Sequence, residues 1–503
     1  MTLVAPKSLK SSELAENRYV EVADRIAALI DNGTLAVGDR VPSVRKLSLQ
    51  FGVAVGTVLH AYRVLEDRGR IRARPQSGFY VCQPVTSLPE PAPSSPTAKP
   101  GRPTVGDLVM RMGELAADEG VVQLGHAIPH PSFLPTAQLN RLSASVSRRN
   151  PRGFNYYDAP PGCRELRVQV AKHYIEAGCN LSPDDLVTTS GCTEALGLCL
   201  RAIAKPGDVI AVDSPAFYGI LQSIEMLGLR ALEIPTSPRT GVDLEALKKA
   251  LRKKKIAGCL FVTNCQNPLG FVMSDERKRA LVKLLAEHDV PLIEDDTYGD
   301  LAYGDQRPSV CKAFDRDGRV MLCSSLSKTV APGARVGWCA PGRYLHLVKR
   351  LKFCNTLATA TLPQMALAEY LAAGGYAHHL RKIRRTYADA VDQIAGAVQR
   401  HFPAGTCATR PTGGHVLWIE LPKGTDAMAL FELAAAERIS IAPGPLFSPS
   451  GDYRNCIRLN CSVPTDATLE RAIATLGRLV HEQLTKPAAR RTAKRVTGRA
   501  SSR

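Results

Sequence analysis

The chain has 503 residues, 45% hydrophobic and 22% charged, with 39 Gly and 35 Pro. That length suggests two or three domains with cores that need no disulfide or metal staple, and the ordinary apolar content excludes wholesale disorder. The formal charge of +18 favours contact with nucleic acid, though only as steering, and no uninterrupted apolar run reaches the roughly 18 residues of a transmembrane helix.

Residues 1–18 lack the apolar core of a signal peptide and read as a flexible start to a cytoplasmic protein. The 14 Cys form no CxxC pair and no Cys/His cluster of zinc spacing. They are expected as reduced, mostly buried thiols, and no metal site is expected. HExxH and GxxxxGK[ST] are absent, and the lack of a GxGxxG after a strand weakens a nicotinamide reading.

In the segment YVEVADRIAALIDNG, apolar residues fall at 22, 23, 26, 29 and 30, which is helix spacing, with Gly33 as a C-cap. A second helix, capped by Ser43, runs to Phe51. Gly52 makes a turn, and 55–69 form a third helix ending at Gly69. Leu47, Val53, Val58, Tyr62 and Leu65 are the expected shared core. Two short helices joined by a Gly turn form a helix-turn-helix. RIRARPQSGFYV then alternates around a PQSG turn and reads as a β-hairpin wing. Thr57, His60 and Arg63 share one face of the third helix. Arg45 lies on the helix before it, and Arg70, Arg72 and Arg74 line the wing. Such donors suit phosphates and base edges when a helix enters a major groove. The same charges also suit the solvated surface of a small interaction domain.

Seven prolines stand between Cys82 and Pro103. Proline fixes φ and removes a donor, so 83–104 reads as an extended linker between a small domain over 19–82 and a large one over 105–485. Seven basic and no acidic residues follow in 486–503, a basic tail expected to be disordered.

Within a large subdomain over about 160–345, seven short runs suit buried strands: DLVTTSG, DVIAVDSP, RALEIP, IAGCLFVTN, VPLIEDDT, RVMLCSSLSK and RVGWCAP. Helical stretches separate several of them, which predicts an α/β fold with a mostly parallel seven-stranded sheet. Ligands of such sheets lie at the carboxyl ends of the strands, where the polar residues cluster. Lys328 in SLSKTVAPGAR offers an amine that can form a Schiff base with a carbonyl. SGCTEA opens a helix whose N–H groups can hold a phosphate. Asp295 can keep a pyridinium nitrogen protonated, Asn267 and Tyr298 can reach a ring oxygen, and Phe217 can stack on a flat ring. Together they fit pyridoxal 5'-phosphate. Taken singly, each also has an ordinary structural reading as a surface lysine, a cap, a turn or a core ring.

Residues 19–82, with GDRVPSVRKL, the TV..AYR.LE.RG run and I.ARPQSGFYV, resemble the winged helix-turn-helix of GntR-type regulators. The resemblance implies DNA contacts from Arg45 and Thr57, to which the helix face and wing add His60, Arg63, Arg72 and Gly78. Ala54-Val55-Gly56 stands where many members carry Ser-Arg-Asn. Residues 121–480 resemble fold-type I aminotransferases, which carry a smaller α+β subdomain. That resemblance makes Lys328 the catalytic, cofactor-bound lysine and Asp295 the ring-nitrogen partner. It makes Asn267 and Tyr298 the ring-hydroxyl partners and Phe217 the stacking ring. Gly191, Cys192, Thr193, Ser325, Ser327 and Arg335 would hold the phosphate, Tyr157 would reach the phosphate of a neighbouring subunit, and Arg458 would grip a substrate carboxylate. The two halves in this order resemble the MocR regulators. They imply a head-to-tail homodimer that binds double-stranded operator DNA and senses an amino compound, or the cofactor itself, by aldimine chemistry at Lys328. The alternative is a working aminotransferase carrying a DNA-binding module.

Overall fold

The computed structural model describes residues 11–36, 38–67, 70–74, 78–81, 88–118, 120–153, 155–304 and 306–485. The first ten residues, the wing turn, the start of the linker at 82–87 and the basic tail lie outside the described residues, as do the side chains of Arg72 and Arg74. The chain divides into two compact units between Ser87 and Leu88.

The first unit holds α1 (Ser11–Asp31), α2 (Val44–Phe51), α3 (Val55–Asp67) and an antiparallel pair, β1 (Ile71–Arg74) and β2 (Gly78–Val81). Helix α1 starts at Ser11 rather than 19, because Glu13, Leu14, Ala15 and Glu16 are good helix formers. The Ser43 side chain accepts a hydrogen bond from the Lys46 N–H at 3.3 Å and caps α2, and Gly52 ends it in the left-handed region at φ 60°. Leu47, Val58, Ala61, Tyr62 and Leu65 are buried with Val22, Ala23 and Ile26 of α1, whereas Val53 is only partly buried.

The second unit centres on eight strands: β3 (Val187–Thr189), β4 (Val209–Ser214), β5 (Arg230–Ser237), β6 (Gly241–Val242), β7 (Gly258–Phe261), β8 (Leu292–Asp295), β9 (Val320–Ser325) and β10 (Gly337–Ala340). Their order is β3-β10-β9-β8-β7-β4-β5-β6. Strands β5, β4, β7, β8 and β9 pair in parallel, and β10 runs antiparallel to both its neighbours. All seven predicted strands are present. The eighth, β6, folds back on the end of β5, and at two residues it is too short to show alternation. A smaller antiparallel sheet, β11 (Cys407–Ala408), β12 (Val416–Glu420), β13 (Ala442–Pro443) and β14 (Cys456–Asn460), has the order β11-β12-β14-β13.

Within the Pro-rich stretch, residues from Leu88 onward group with the second unit. Ser94 exchanges backbone and side-chain hydrogen bonds with Thr236, and Gly101 bridges Ala231. The extended backbone that proline enforces is thereby laid along β5.

Candidate cofactor site and DNA-binding face

Sheet register assembles the phosphate cradle. Gly337 pairs with Thr189 on one side and Ser325 on the other. A Cβ at Gly337 would stand 2.6 Å from the Gly191 carbonyl carbon and 2.8 Å from the Cys192 nitrogen. Glycine there lets β10 touch the turn that opens α4 (Cys192–Ile203). Gly191, with φ 84°, precedes that helix; a Cβ on it would meet the Arg335 guanidinium at 2.3 Å. Arg335 Nη2 donates to Ser190 O at 3.2 Å, and the Ser325 hydroxyl accepts from the Ser327 N–H at 3.3 Å. Gly191, Cys192, Ser325, Ser327 and Arg335 therefore surround one helix N-terminus, with Thr193 exposed on its first turn. Such a terminus favours an anion.

Asp295 ends β8, is buried, and accepts from the Thr297 N–H at 3.0 Å and the Cys192 thiol at 3.7 Å. Burial raises its pKa. Asn267 and Tyr298 adjoin, and the Asn267 Oδ1 and Nδ2 and the Tyr298 hydroxyl are buried without hydrogen-bond partners. Phe217 leads into the helix that follows β4, its ring 4.6 Å from Tyr218. Lys328 follows β9. Its Nζ lies 5.7 Å from the Tyr298 ring centroid and donates to Ala127 O at 2.5 Å. Burial, reinforced by Arg458 and Arg335 and opposed by Asp295, lowers the lysine pKa from 10.5 to about 8. Arg458, on β14, is fully buried. Its Nη2 donates to Gly125 O, while Nε and Nη1 have no partner.

Tyr157 is placed differently. It is 79% exposed and lines a surface cavity of about 400 Å³ with Tyr156 and the 358–363 segment. Sequence reading also missed two imidazoles near the site, His126 and His415. GHAIPHP was the only signal for the first, and the second has no motif. Among the described residues no cluster of His, Cys, Asp or Glu could hold a metal ion, and no helix is long and apolar enough to cross a membrane. Thirteen described cysteines are free, eleven of them buried.

In the first unit, Arg45 of α2 is exposed, and on α3 His60 and Arg63 are exposed and Thr57 is half-buried. The His60 ring stacks on Tyr19 of α1 at 3.9 Å, which fixes its plane. Gly78, with φ 104°, leaves room for the Arg40 guanidinium, 3.2 Å from where a Cβ would be.

The family profile for aminotransferase class I and II matches residues 133–476, and that for bacterial regulatory proteins of the gntR family matches 18–81. The uncharacterized HTH-type transcriptional regulator YjiR of Escherichia coli is 39% identical over 93% of this chain and 99% of its own length. The chain is a GntR-type regulator fused to a class I and II aminotransferase domain. Among solved structures, this regulator's large unit is similar to Pyrococcus horikoshii kynurenine aminotransferase in complex with PMP, with a TM-score of 0.70 and 27% identity over 76% of this chain and 95% of that one. LysN, the α-aminoadipate aminotransferase of Thermus thermophilus, complexed with N-(5'-phosphopyridoxyl)-L-leucine, gives 0.69 and 26% over 74% and 95%. The regulator's own residues fit a pyridoxal phosphate group. It has a glycine-opened helix terminus for a phosphate, a buried acid for a ring nitrogen, two orphaned polar side chains for a ring hydroxyl, and a half-buried amine of lowered pKa.

Proposed function

We propose that this chain is a cytoplasmic transcription regulator whose large unit holds pyridoxal 5'-phosphate at Lys328 and senses an amino compound, or the cofactor itself, at that point. The observation that carries this reading is a half-buried lysine of lowered pKa beside unpartnered Asn267, Tyr298 and Arg458 atoms, in a chain that also carries a DNA reader. When bound, the cofactor would supply an electrophilic aldehyde carbon open to reversible attack by an amine. Lys328 supplies the resident amine, Asp295 holds a proton at the ring nitrogen, and Asn267 with Tyr298 fixes the ring oxygen. The Phe217 ring covers the flat face, and the Gly191–Thr193 turn with Ser325, Ser327 and Arg335 anchors the phosphate. Arg458 keeps two donors free for a carboxylate, a bidentate task suited to guanidinium.

Helix α3 is proposed to enter the major groove of operator DNA through Thr57, His60 and Arg63, with Arg45 on the backbone and Arg72 and Gly78 on the wing. The exposed Tyr157 fits a head-to-tail homodimer, in which it would reach the partner's phosphate. Sensing requires the amino compound to bind one dimer arrangement more tightly than the other. The test is an absorbance titration of the cofactor-loaded chain with amino acids and polyamines, run alongside binding to its own upstream DNA. Changes in both support the reading. Sustained keto-acid formation at ordinary enzyme rates, with operator affinity unmoved, would favour the aminotransferase alternative.

Two smaller outcomes are expected. Arg45→Ala should weaken DNA binding and flatten its salt dependence by about one phosphate contact, measured by fluorescence anisotropy across a salt series. The rate of cofactor capture should rise with pH and level off above about 8, because the neutral Lys328 amine is the reacting form and its pKa is lowered to about 8. Stopped-flow absorbance checks this; a lysine of ordinary pKa would keep gaining to beyond pH 10.

A further inference from the structure

Residues 125–128 thread past the two cationic anchors of the site. Gly125 O accepts from Arg458, Ala127 O accepts from Lys328, and Ile128 O accepts from Asn460 Nδ2 at 3.2 Å. His126 therefore stands between the carbonyl held by the guanidinium and the carbonyl held by the amine. Its ring meets Tyr218 edge-on at 6.4 Å, and the Arg458 guanidinium lies 6.0 Å from that same tyrosine ring. Fully buried His415 is 5.4 Å from the Tyr298 ring, the ring approached by Lys328 Nζ. Both imidazoles feel the charges of the amine and the guanidinium.

Both rings have one nitrogen committed. His415 Nδ1 faces Asn460 Oδ1 at 3.0 Å, and the Met112 backbone favours a proton on the His126 ring. A carbonyl oxygen only accepts, and with Nε2 unpartnered in both rings Nδ1 is the nitrogen that carries the proton, so each Nε2 presents a lone pair. Both Nε2 atoms are buried without a partner. Burial, Arg458 and Lys328 lower His126 to about 4; burial, Lys328 and Arg458, against the Asn460 hydrogen bond, lower His415 to about 3. Both are neutral acceptors at physiological pH. Two orphaned buried acceptors beside an amine and a carboxylate grip require an explanation, and a ligand's donor supplies one.

We propose that His126 and His415 determine the class of effector, an α-amino acid whose side chain ends in an uncharged hydrogen-bond donor, a hydroxyl or carboxamide. This rests on the reading of Lys328 as the amine-exchange centre and Arg458 as the carboxylate grip. A cationic side chain would be repelled by Lys328, Arg458 and Arg335. A carboxylate would meet two lone pairs. An apolar side chain would leave both acceptors unpaired, and sites built for a hydrogen bond reject such analogues strongly.

The test uses the full chain loaded with pyridoxal phosphate and titrated with L-glutamine, L-serine, L-norleucine, L-glutamate and L-lysine, read by cofactor absorbance and by calorimetry. Glutamine or serine should bind ~10-fold or more tightly than each of the other three. The variants His126→Asn and His415→Asn retain a donor near the Nδ1 position and delete Nε2. Each should cut the preferred ligand's affinity ~10-fold while moving norleucine less than ~3-fold. Norleucine binding as well as glutamine and serine, or a preference unchanged in both variants, overturns the assignment. Absence of any absorbance change with all five removes the amine-exchange reading itself, a failure visible before any ratio is formed.

Discussion

Replacing Lys328 with alanine is expected to abolish the borohydride-stable cofactor adduct completely while leaving the protein folded. The lysine is half-buried and feels the charges of Arg458 and Arg335, so its ammonium form is disfavoured. A lysine pKa lowered from 10.5 to about 8 means the folded state binds fewer protons than the unfolded chain between those values. The cost is therefore present in full below about pH 8 and is relieved as pH rises toward 10.5. At neutral pH it is on the order of 3 kcal/mol, and Lys328→Ala removes it. Against this stands the lost packing of the lysine stem, about 1–3 kcal/mol. The cofactor-free variant should thus unfold at a urea concentration equal to or above that of the parent, a stability held back by function. Peptide mapping after borohydride reduction should show a tag at Lys328 in the parent and none in the variant. A tag on another lysine in the variant would contradict the assignment.

Arg307→Met is expected to be the most destabilising single change. The Arg307 guanidinium pairs with Asp296 and, through Nε at 2.6 Å, with Asp300, all three side chains being largely or wholly buried. Its charge lies 4.9 Å from the Tyr174 ring centroid. Asp300 also receives His173 at 2.7 Å and the Tyr376 hydroxyl at 2.6 Å, and Asp296 receives Asn264 Nδ2 at 2.9 Å. Burial alone would raise the Asp300 pKa, yet His173 and Arg307 hold it well below the usual carboxylate range. Removing the guanidinium strips buried Asp296 of its cationic partner and leaves buried Asp300 with His173 alone, at a cost of about 3–5 kcal/mol. Asp296 adjoins Asp295, so cofactor affinity should fall as well. The triple variant Arg307→Met, Asp296→Asn, Asp300→Asn should recover much of the lost stability, because no charge is then stranded. Urea denaturation of the three proteins, parent, single and triple, checks both statements. A single variant within about 1 kcal/mol of the parent would show that the cluster is not a buried charge network.

What the sequence made legible was whatever is local. The seven strand runs and the capped helices follow from short-range apolar spacing, and Ser43 and Gly52 mark helix ends through their own side chain or lack of one. The strand-end motifs around Asp295, Asn267 and Lys328 could be read because a parallel sheet gathers its carboxyl ends at one edge. The Arg307 cluster could not be read this way, since His173, Asp296, Arg307 and Tyr376 come together only through packing across more than one helix and strand. His415 was invisible for the same reason: its partner Asn460 lies on a different strand of the small sheet. Val122–Gln123, which pairs in parallel with Ile439–Ser440, carries too few residues to display a period. Proline content excluded helix, and the described residues 88–103 hold none, but composition alone carries no information on the surface that Ser94 and Gly101 meet.

The most direct test of the account is the affinity of the pyridoxal phosphate-loaded chain for a labelled duplex of its own upstream DNA, measured by anisotropy at fixed salt with and without a saturating mixture of the twenty amino acids. The account predicts a shift of about fivefold or more, in either direction, that disappears in Lys328→Ala. An affinity unchanged by the mixture, or a shift that persists in the alanine variant, would contradict it.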